Sequence, residues 1–340
     1  MSASTETEQW VDVIIPFLDW NDWVLDCLEG FTHSSYRTFR LWLLPNELPA
    51  SLWKQRLDAL NLPQDCHIIP TGPGTCPVKR NIGLRKTTAA IVAFIDSDAI
   101  PHYDWLRRGV SQLQGDIAMV AGPNLIPPTD PWQRQIAGYV MESPWGFGAA
   151  YIRHTPVSRR TVPEMPTCNL ILKRQCGLYF EEHMRTADDL VYCHEIRRLG
   201  KQILYDPGVI VYHHRRKVFR PFMAQVFRYG FDRGTIIYRW RSWEHFWQLL
   251  PGLLTLYLAI LPALLWQSQS QLHTILAATP AAAYLLIITT ESLRRGPDWL
   301  SRILTPLAFL AGHLSYGVGF LMGIFKGDTP KSKSSSSASN

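Results

Sequence analysis

The 340-residue chain has few cysteines, and none of the six (Cys27, Cys66, Cys76, Cys168, Cys176, Cys193) stands in a CxxC pair. A chain this long needs no disulfide framework to fold, so a stapled secreted scaffold is excluded and the thiols read as reduced and cytosolic. The opening MSASTETEQW lacks the basic-then-apolar order of a secretory leader, so the first domain is expected to stay in the cytoplasm. Acid is nearly missing from residues 215–241, where Arg215, Arg216, Lys217, Arg220, Arg228, Arg233, Arg239 and Arg241 face the single Asp232. Charge of either sign is absent from residues 246–266, 272–290 and 303–325. A helix needs about 20 apolar residues to cross a bilayer, so each of these segments is long enough to span. No internal repeat stands out.

What is present divides the chain. With 46% hydrophobic residues it can bury a real core. From Val11 to about Tyr212, short β-rich runs (VDVIIPF, FRLWLL, CHIIP, AAIVAFID, DIAMVAGP) alternate with stretches of helical spacing at 22–31, 52–60 and 78–88. Strand and helix in alternation predict an α/β fold with a largely parallel, doubly wound sheet, whose ligands bind beyond the carboxyl ends of the strands. The expected organisation is a cytosolic catalytic domain over 1–214, a basic amphipathic interfacial segment over 215–245, a transmembrane region over 246–325 and a disordered Ser-rich tail over 326–340. The third apolar segment holds Pro306, Gly312, His313, Ser315, Gly317 and Gly319 and reads equally as a broken or partly interfacial segment. The basic flanks put the first domain on the cytoplasmic face. Lys326, Lys331 and Lys333 argue against the tail lying outside, and Trp240, Trp243 and Trp247 fit an interfacial aromatic belt. Arg215 and Arg216 are expected to face the membrane. A nucleic-acid partner fits poorly, because the basic run abuts apolar spans.

The chemistry concentrates at FIDSDAI, residues 94–100. In extended chain, residues two apart project to one side, so Asp96 and Asp98 enter one site with Ser97 turned away. Two hard oxygen donors at a sheet edge suit Mg²⁺ or Mn²⁺ carrying a diphosphate, and a solvated turn after a strand would look the same. Lys79, Arg80 and Asn81 open the helix that feeds this strand, where basic side chains can meet a diphosphate. A second acidic pair, Asp188 and Asp189, heads an amphipathic helix, where it also suits the helix N-terminal dipole, and the strand that follows ends in His213 and His214, between which the sequence does not choose. Gln225 and Arg228, three apart, share one helix face.

These pieces together resemble a membrane-anchored family 2 glycosyltransferase of the GT-A fold. VDVIIPF, with Pro16, resembles the opening nucleotide-binding strand, and VKRNIGLRKTTAAIVAFIDSDAIPHYDWL resembles the helix, strand and DxD block. PTCNLILKRQCGLYFEE and DDLVYCHEIRRLG resemble the acceptor-side segment with its acidic pair, and QVFRYGFDRG resembles the QxxR(Y/W) interfacial motif. The resemblance covers about residues 10–235.

It implies that Asp98, with His213, holds a divalent metal and that Asp96 contacts the donor's ribose or sugar. Pro16, Lys79, Arg80, Gln225 and Arg228 join Asp96 and Asp98 on the donor side. Asp189, beside Asp188, would be the general base of a single inverting displacement. The implied partners are a nucleotide-sugar donor, a UDP-sugar foremost, a lipid-linked or cell-envelope glycan acceptor and membrane lipids. Two other readings are a polyprenyl-phosphate glycosyltransferase, which needs no general base, and a non-enzymatic nucleotide-binding scaffold. One departure is that FRLWLLPNELP offers Pro45, Asn46 and Glu47 where the family carries an acid after the second strand, which leaves Glu47 or Asp19 to read base or ribose. Trp145, Glu142 and Arg153 lie in an acceptor-side insertion whose composition suits a lid.

Overall fold

The computed structural model describes residues 8–62, 65–174, 178–183, 187–240 and 247–326, with backbone alone for 237–240. The chain divides into two compact units, Met1–Lys217 and Val218–Asn340.

In the first unit the elements run β1 (Val11–Pro16), α1 (Asp22–Thr32), β2 (Phe39–Leu44), α2 (Ser51–Asp58), β3 (Cys66–Ile68), α3 (Cys76–Lys86), β4 (Ile91–Ile95), β5 (Ala99–Pro101) and α4 (Trp105–Ser111). There follow β6 (Ile117–Ala121), β7 (Asn124–Leu125), α5 (Trp132–Met141), α6 (Pro144–Phe147), a 3₁₀ turn (Gly148–Arg153), β8 (Arg160–Thr161), β9 (Asn169–Lys173), α7 (Asp188–Arg198), β10 (Gln202–Tyr205) and β11 (Val211–His213). The main sheet has the order β3-β2-β1-β4-β9-β6-β10-β8. The first four of these strands are mutually parallel, as are β6 and β10. The sheet is mostly parallel, as the alternation predicts, with one strand that the alternation does not announce: β9 runs antiparallel to both β4 and β6 in the middle of the sheet. Its NLILK is buried on both faces at Leu170, Ile171 and Leu172, so it carries no period-two signal. A second small sheet joins β5, β11 and β7.

Local chemistry sets the elements that matter for the site. Asn21 caps α1 by accepting from the backbone N–H groups of Trp23 and Val24 at 3.0 and 3.3 Å. Helix α3 starts with Pro77 in its first turn. It lies close on the sheet at Gly83, where a β-carbon would stand 2.8 Å from Ile14 Cγ2.

Asp12 fastens the amino ends of three strands from a fully buried position on β1. Its carboxylate accepts from Arg40 Nε at 2.7 Å and Trp42 Nε1 at 3.0 Å, both on β2. It also accepts from the backbone N–H groups of Thr88 and Ala89, at 2.8 Å each, just before β4.

The second unit is helical: α8 (Arg220–Trp240), α9 (Leu250–Trp266), α10 (Gln271–Arg295) and α11 (Trp299–Lys326). Three helices, Trp247–Trp266, Gln271–Arg295 and Trp299–Lys326, are long and apolar enough to cross a membrane. The segment at 303–325 is an unbroken helix that runs through Pro306. Trp243 and the tail beyond Lys326 lie outside the described residues, as does the side chain of Trp240.

Replacing Asp12 by Ala strands Arg40 and two backbone donors together. Losing one partner of a buried pair costs about 3–5 kcal/mol. Urea unfolding of the variant is expected to show a loss of that size, with the unfolding slope unchanged.

Candidate functional site

The site forms where β4 ends. Asp96 follows Ile95, and the turn closes with Ala99 N–H donating to the Asp96 carbonyl at 3.0 Å. Strand β5 then pairs antiparallel with β11, setting Ala99 opposite His213, and His214 N–H donates to the Asp98 carbonyl at 3.1 Å. This ladder delivers His213 to the DSD turn although 115 residues separate it from Asp98. His213 Nε2 lies 3.0 Å from Asp98 Oδ1. Asp96, Asp98 and His213 each offer a ligand atom, and the three atoms lie within 4.8 Å of one another. Two carboxylates and an imidazole form a donor set that fits Mn²⁺ or Mg²⁺.

Cations surround this cluster. Burial would raise the Asp98 carboxyl, but pairing with His213, by charge and by hydrogen bond, and with Arg216 outweighs it and holds the group down at about 2. Arg216 Nη2 stands 3.5 Å from Asp98 Oδ2. Arg215 donates from Nη1 to His213 Nδ1 at 3.1 Å and from Nη2 to the Asn124 carbonyl.

The sequence reading of Arg215 and Arg216 as a membrane-facing pair is therefore corrected. Arg215 is buried in the first unit, and Arg216 reaches a candidate metal ligand. Continuation of β11 past β7 carries both arginines into the cluster, and no local pattern announces that. The tandem histidines part company as well. While His213 meets Asp98, His214 Nδ1 meets Asp130 Oδ1 at 2.7 Å, and its ring stacks on Trp23.

Arg80 joins the two acidic pairs. Only 4% exposed, its guanidinium donates from Nη2 to Asp96 Oδ1 at 2.9 Å and from Nη1 to Asp188 Oδ2 at 2.7 Å. Asn81, next in the helix, donates to the Phe180 carbonyl at 2.9 Å and accepts from Phe180 N–H at 2.8 Å. Phe180 in turn stacks on Tyr192 of α7, with ring centroids 4.3 Å apart. The Arg-Asn dipeptide of α3 thus fixes both the 180 segment and the head of α7. Burial, and repulsion from Asp189 and Asp96, push the Asp188 carboxyl up to about 6 against the pull of Arg80. Asp189, the next residue, is half-buried and accepts from Leu190 N–H at 2.8 Å.

The other positions singled out from sequence are placed as follows. Pro16 closes β1 and is buried. The Lys79 ammonium donates to Thr71 Oγ1 and to the Gly72 carbonyl, so it holds the loop after β3. Asp19 and Glu47 are exposed, and their loops are tied by Trp20 Nε1 donating to the Glu47 carbonyl at 3.0 Å. The insertion folds as α6 and the 3₁₀ turn. Trp145 is exposed, Glu142 follows α5, and Arg153 forms a 2.6 Å ion pair with Glu164. Gln225 and Arg228 belong to α8 of the second unit, where Gln225 donates to Tyr229 Oη at 2.9 Å.

A mostly parallel α/β sheet with an acidic, metal-capable turn at the carboxyl end of a central strand defines a GT-A-like fold. Residues 12–174 match the model of glycosyl transferase family 2. Pre-mycofactocin glycosyltransferase from Mycobacterium tuberculosis is 27% identical over 157 residues, which cover 44% of this chain and 32% of that protein. Glycosyltransferase AglE from Haloferax volcanii is 28% identical over 130 residues, covering 36% of this chain and 41% of its own length. The chain thus spans 32% to 41% of the length of these curated relatives. A solved structure, the mannosyltransferase PcManGT from Pyrobaculum calidifontis in complex with GDP-Man and Mn²⁺, shares the fold with a TM-score of 0.65 at 18% identity, over 93% of this chain and 88% of its own.

Two outcomes test the site. Because the Asp98 carboxyl is depressed, its ionic links contribute stability that is present above the ordinary value of 3.8 and lost as pH falls from there to about 2. Melting curves between pH 5 and pH 2 are expected to show a component of the acid limb that Asp98→Asn lacks. Arg80→Gln leaves Asp188 buried without its cation, and a loss of roughly 3–5 kcal/mol is expected. Arg80→Lys, which cannot hold two carboxylates in a fork, recovers only part of it.

Proposed function

We propose that the protein is a membrane-anchored inverting glycosyltransferase that moves a sugar from a nucleotide-diphosphate donor to a lipid-linked or cell-envelope glycan at the cytoplasmic face. The observation that carries this reading is the fork of Arg80, which ties Asp96 of the metal-capable cluster to Asp188, immediately beside Asp189. One guanidinium thus ties an acid of the donor side to an acid of the acceptor side, which supports a displacement between two bound sugars.

Asp98 and His213 would hold the cation, with Asp96 in reach of the donor's ribose or sugar. A divalent cation bound there supplies charge to the leaving diphosphate. Asp189 takes the proton of the acceptor hydroxyl as its oxygen attacks the anomeric carbon. The new bond to that carbon forms as the bond to the diphosphate oxygen breaks, and the configuration inverts. General-base help of this kind is worth about 10²–10⁴-fold. The buried cation of Arg80 holds Asp188, and with it the head of α7 that carries Asp189. The reading of Gln225 and Arg228 as donor-side residues rests on their QxxR spacing alone. The three apolar helices support anchoring, and the basic residues Arg294, Arg295 and Arg302 between the second and third support a cytoplasmic catalytic unit.

The test is a panel of nucleotide sugars, UDP-sugars first and GDP-mannose next, offered with Mn²⁺ to the full chain in detergent. Release of nucleoside diphosphate and transfer with inverted anomeric configuration are expected, and a product of retained configuration would sink the single displacement. Asp189→Asn is expected to lower transfer at least about 10²-fold while leaving donor affinity within twofold. Undiminished turnover would remove Asp189 from its role.

A further inference from the structure

Helices α8 and α11 lie flush against each other. A β-carbon at Gly230 would overlap the Tyr316 carbonyl oxygen, and one at Gly234 the Phe320 carbonyl oxygen. Reciprocally, β-carbons at Gly319 and Gly323 would overlap the carbonyl oxygens of Phe227 and Phe231. Four glycines, two from each helix, let the backbones touch over about two turns. The paired numbers rise together, so the helices are parallel, and neighbouring rungs stand at the same height. Lys326, at the end of α11, keeps the register with its ammonium 5.4 Å over the Phe231 ring of α8.

The stretch of α8 facing these rungs, residues 227–235, carries Arg228, Asp232 and Arg233. If the 319–323 region of α11 lay in hydrocarbon, these three charged residues would lie at the same depth. Charged side chains at that depth are strongly disfavoured. Residues 250–266 of α9 and 272–290 of α10 carry no charged side chain. Only 6% of the residues in their spans are buried within the protein, against 39% for α11, and large aliphatic side chains such as Leu253, Ile260, Leu276 and Leu286 are exposed on them.

We propose that only α9 and α10 cross the bilayer, and that α8 and α11 form a glycine-locked pair lying on an anionic bilayer surface. The chain then ends on the side where it begins. Chemistry on both helices fits that surface. Arg220 is exposed on α8, suited to anionic headgroups. On α11, Val318, Met322 and Phe325 are exposed at spacings of four and three, which gives an apolar edge for the acyl boundary. Lys326, Lys331 and Lys333 then remain on the side that retains positive charge.

The inference rests on the anchoring proposed above, and one experiment separates the two. The full chain is made with an epitope at its N-terminus and a second epitope either after Asn340 or within the 267–270 connection between α9 and α10. Protease is added to sealed right-side-out membranes and to inverted vesicles. The expected result is that the N-terminal and C-terminal epitopes are both lost in inverted vesicles and both protected in right-side-out membranes, while the 267–270 epitope behaves in the opposite way. A C-terminal epitope on the side opposite the N-terminus, with the connection also opposite, overturns the surface placement of α11 and leaves anchoring intact. A connection epitope on the same side as the N-terminus overturns both.

Discussion

One buried guanidinium among carboxylates is the constraint on which the first unit depends. Arg80 comes from the second turn of α3 and is held there by the helix's close approach to β1 at Gly83. Desolvating a cation costs several kcal/mol, which two correctly placed carboxylates offset. Asp96 and Asp188 are those partners, and they arrive from opposite ends of the fold. The interaction therefore does more than neutralise charge, because it sets the distance between the DSD turn and the head of α7. With Asp188 pushed up to about 6 and Asp98 held down at about 2, the two acids differ in their readiness to take a proton.

The metal-capable cluster depends on a different device. The main sheet supplies Asp96 and Asp98 at the end of β4, but His213 arrives on a separate three-stranded sheet, by the antiparallel pairing of β11 with β5. That small sheet also brings in Arg215, which bridges His213 to the Asn124 carbonyl of β7. The strand therefore delivers the imidazole and the group that orients it together. At the other end of the main sheet, Asp12 performs the corresponding task for structure alone, pinning β1, β2 and the entry to β4 with a single carboxylate.

The second unit follows another physical rule. Packing between apolar helices draws little on the hydrophobic effect when lipid is the alternative, so small residues that permit close backbone contact decide which helices adhere. Glycines at 230, 234, 319 and 323 join α8 to α11, and Gly317 seats α11 on Pro251 of α9, while the other faces of α9 and α10 expose large aliphatic side chains such as Leu253, Ile260, Leu276 and Leu286.

The sequence by itself determined the alternation of strands and helices, the location of the DSD turn and the three long apolar segments, because each is written in local periodicity or in the chemistry of adjacent residues. Strand β9 was not legible, since a strand buried on both faces looks like any apolar run. Nor was the partition of His213 and His214, or the inward course of Arg215, because side chains next to each other in a strand point to opposite surroundings that only pairing supplies. Asp188 read as a helix N-terminal charge or a catalytic neighbour and Arg80 as a diphosphate contact, and their union across 108 residues came from tertiary structure. Long-range electrostatics of this kind depends on distance in space, which a linear pattern does not carry.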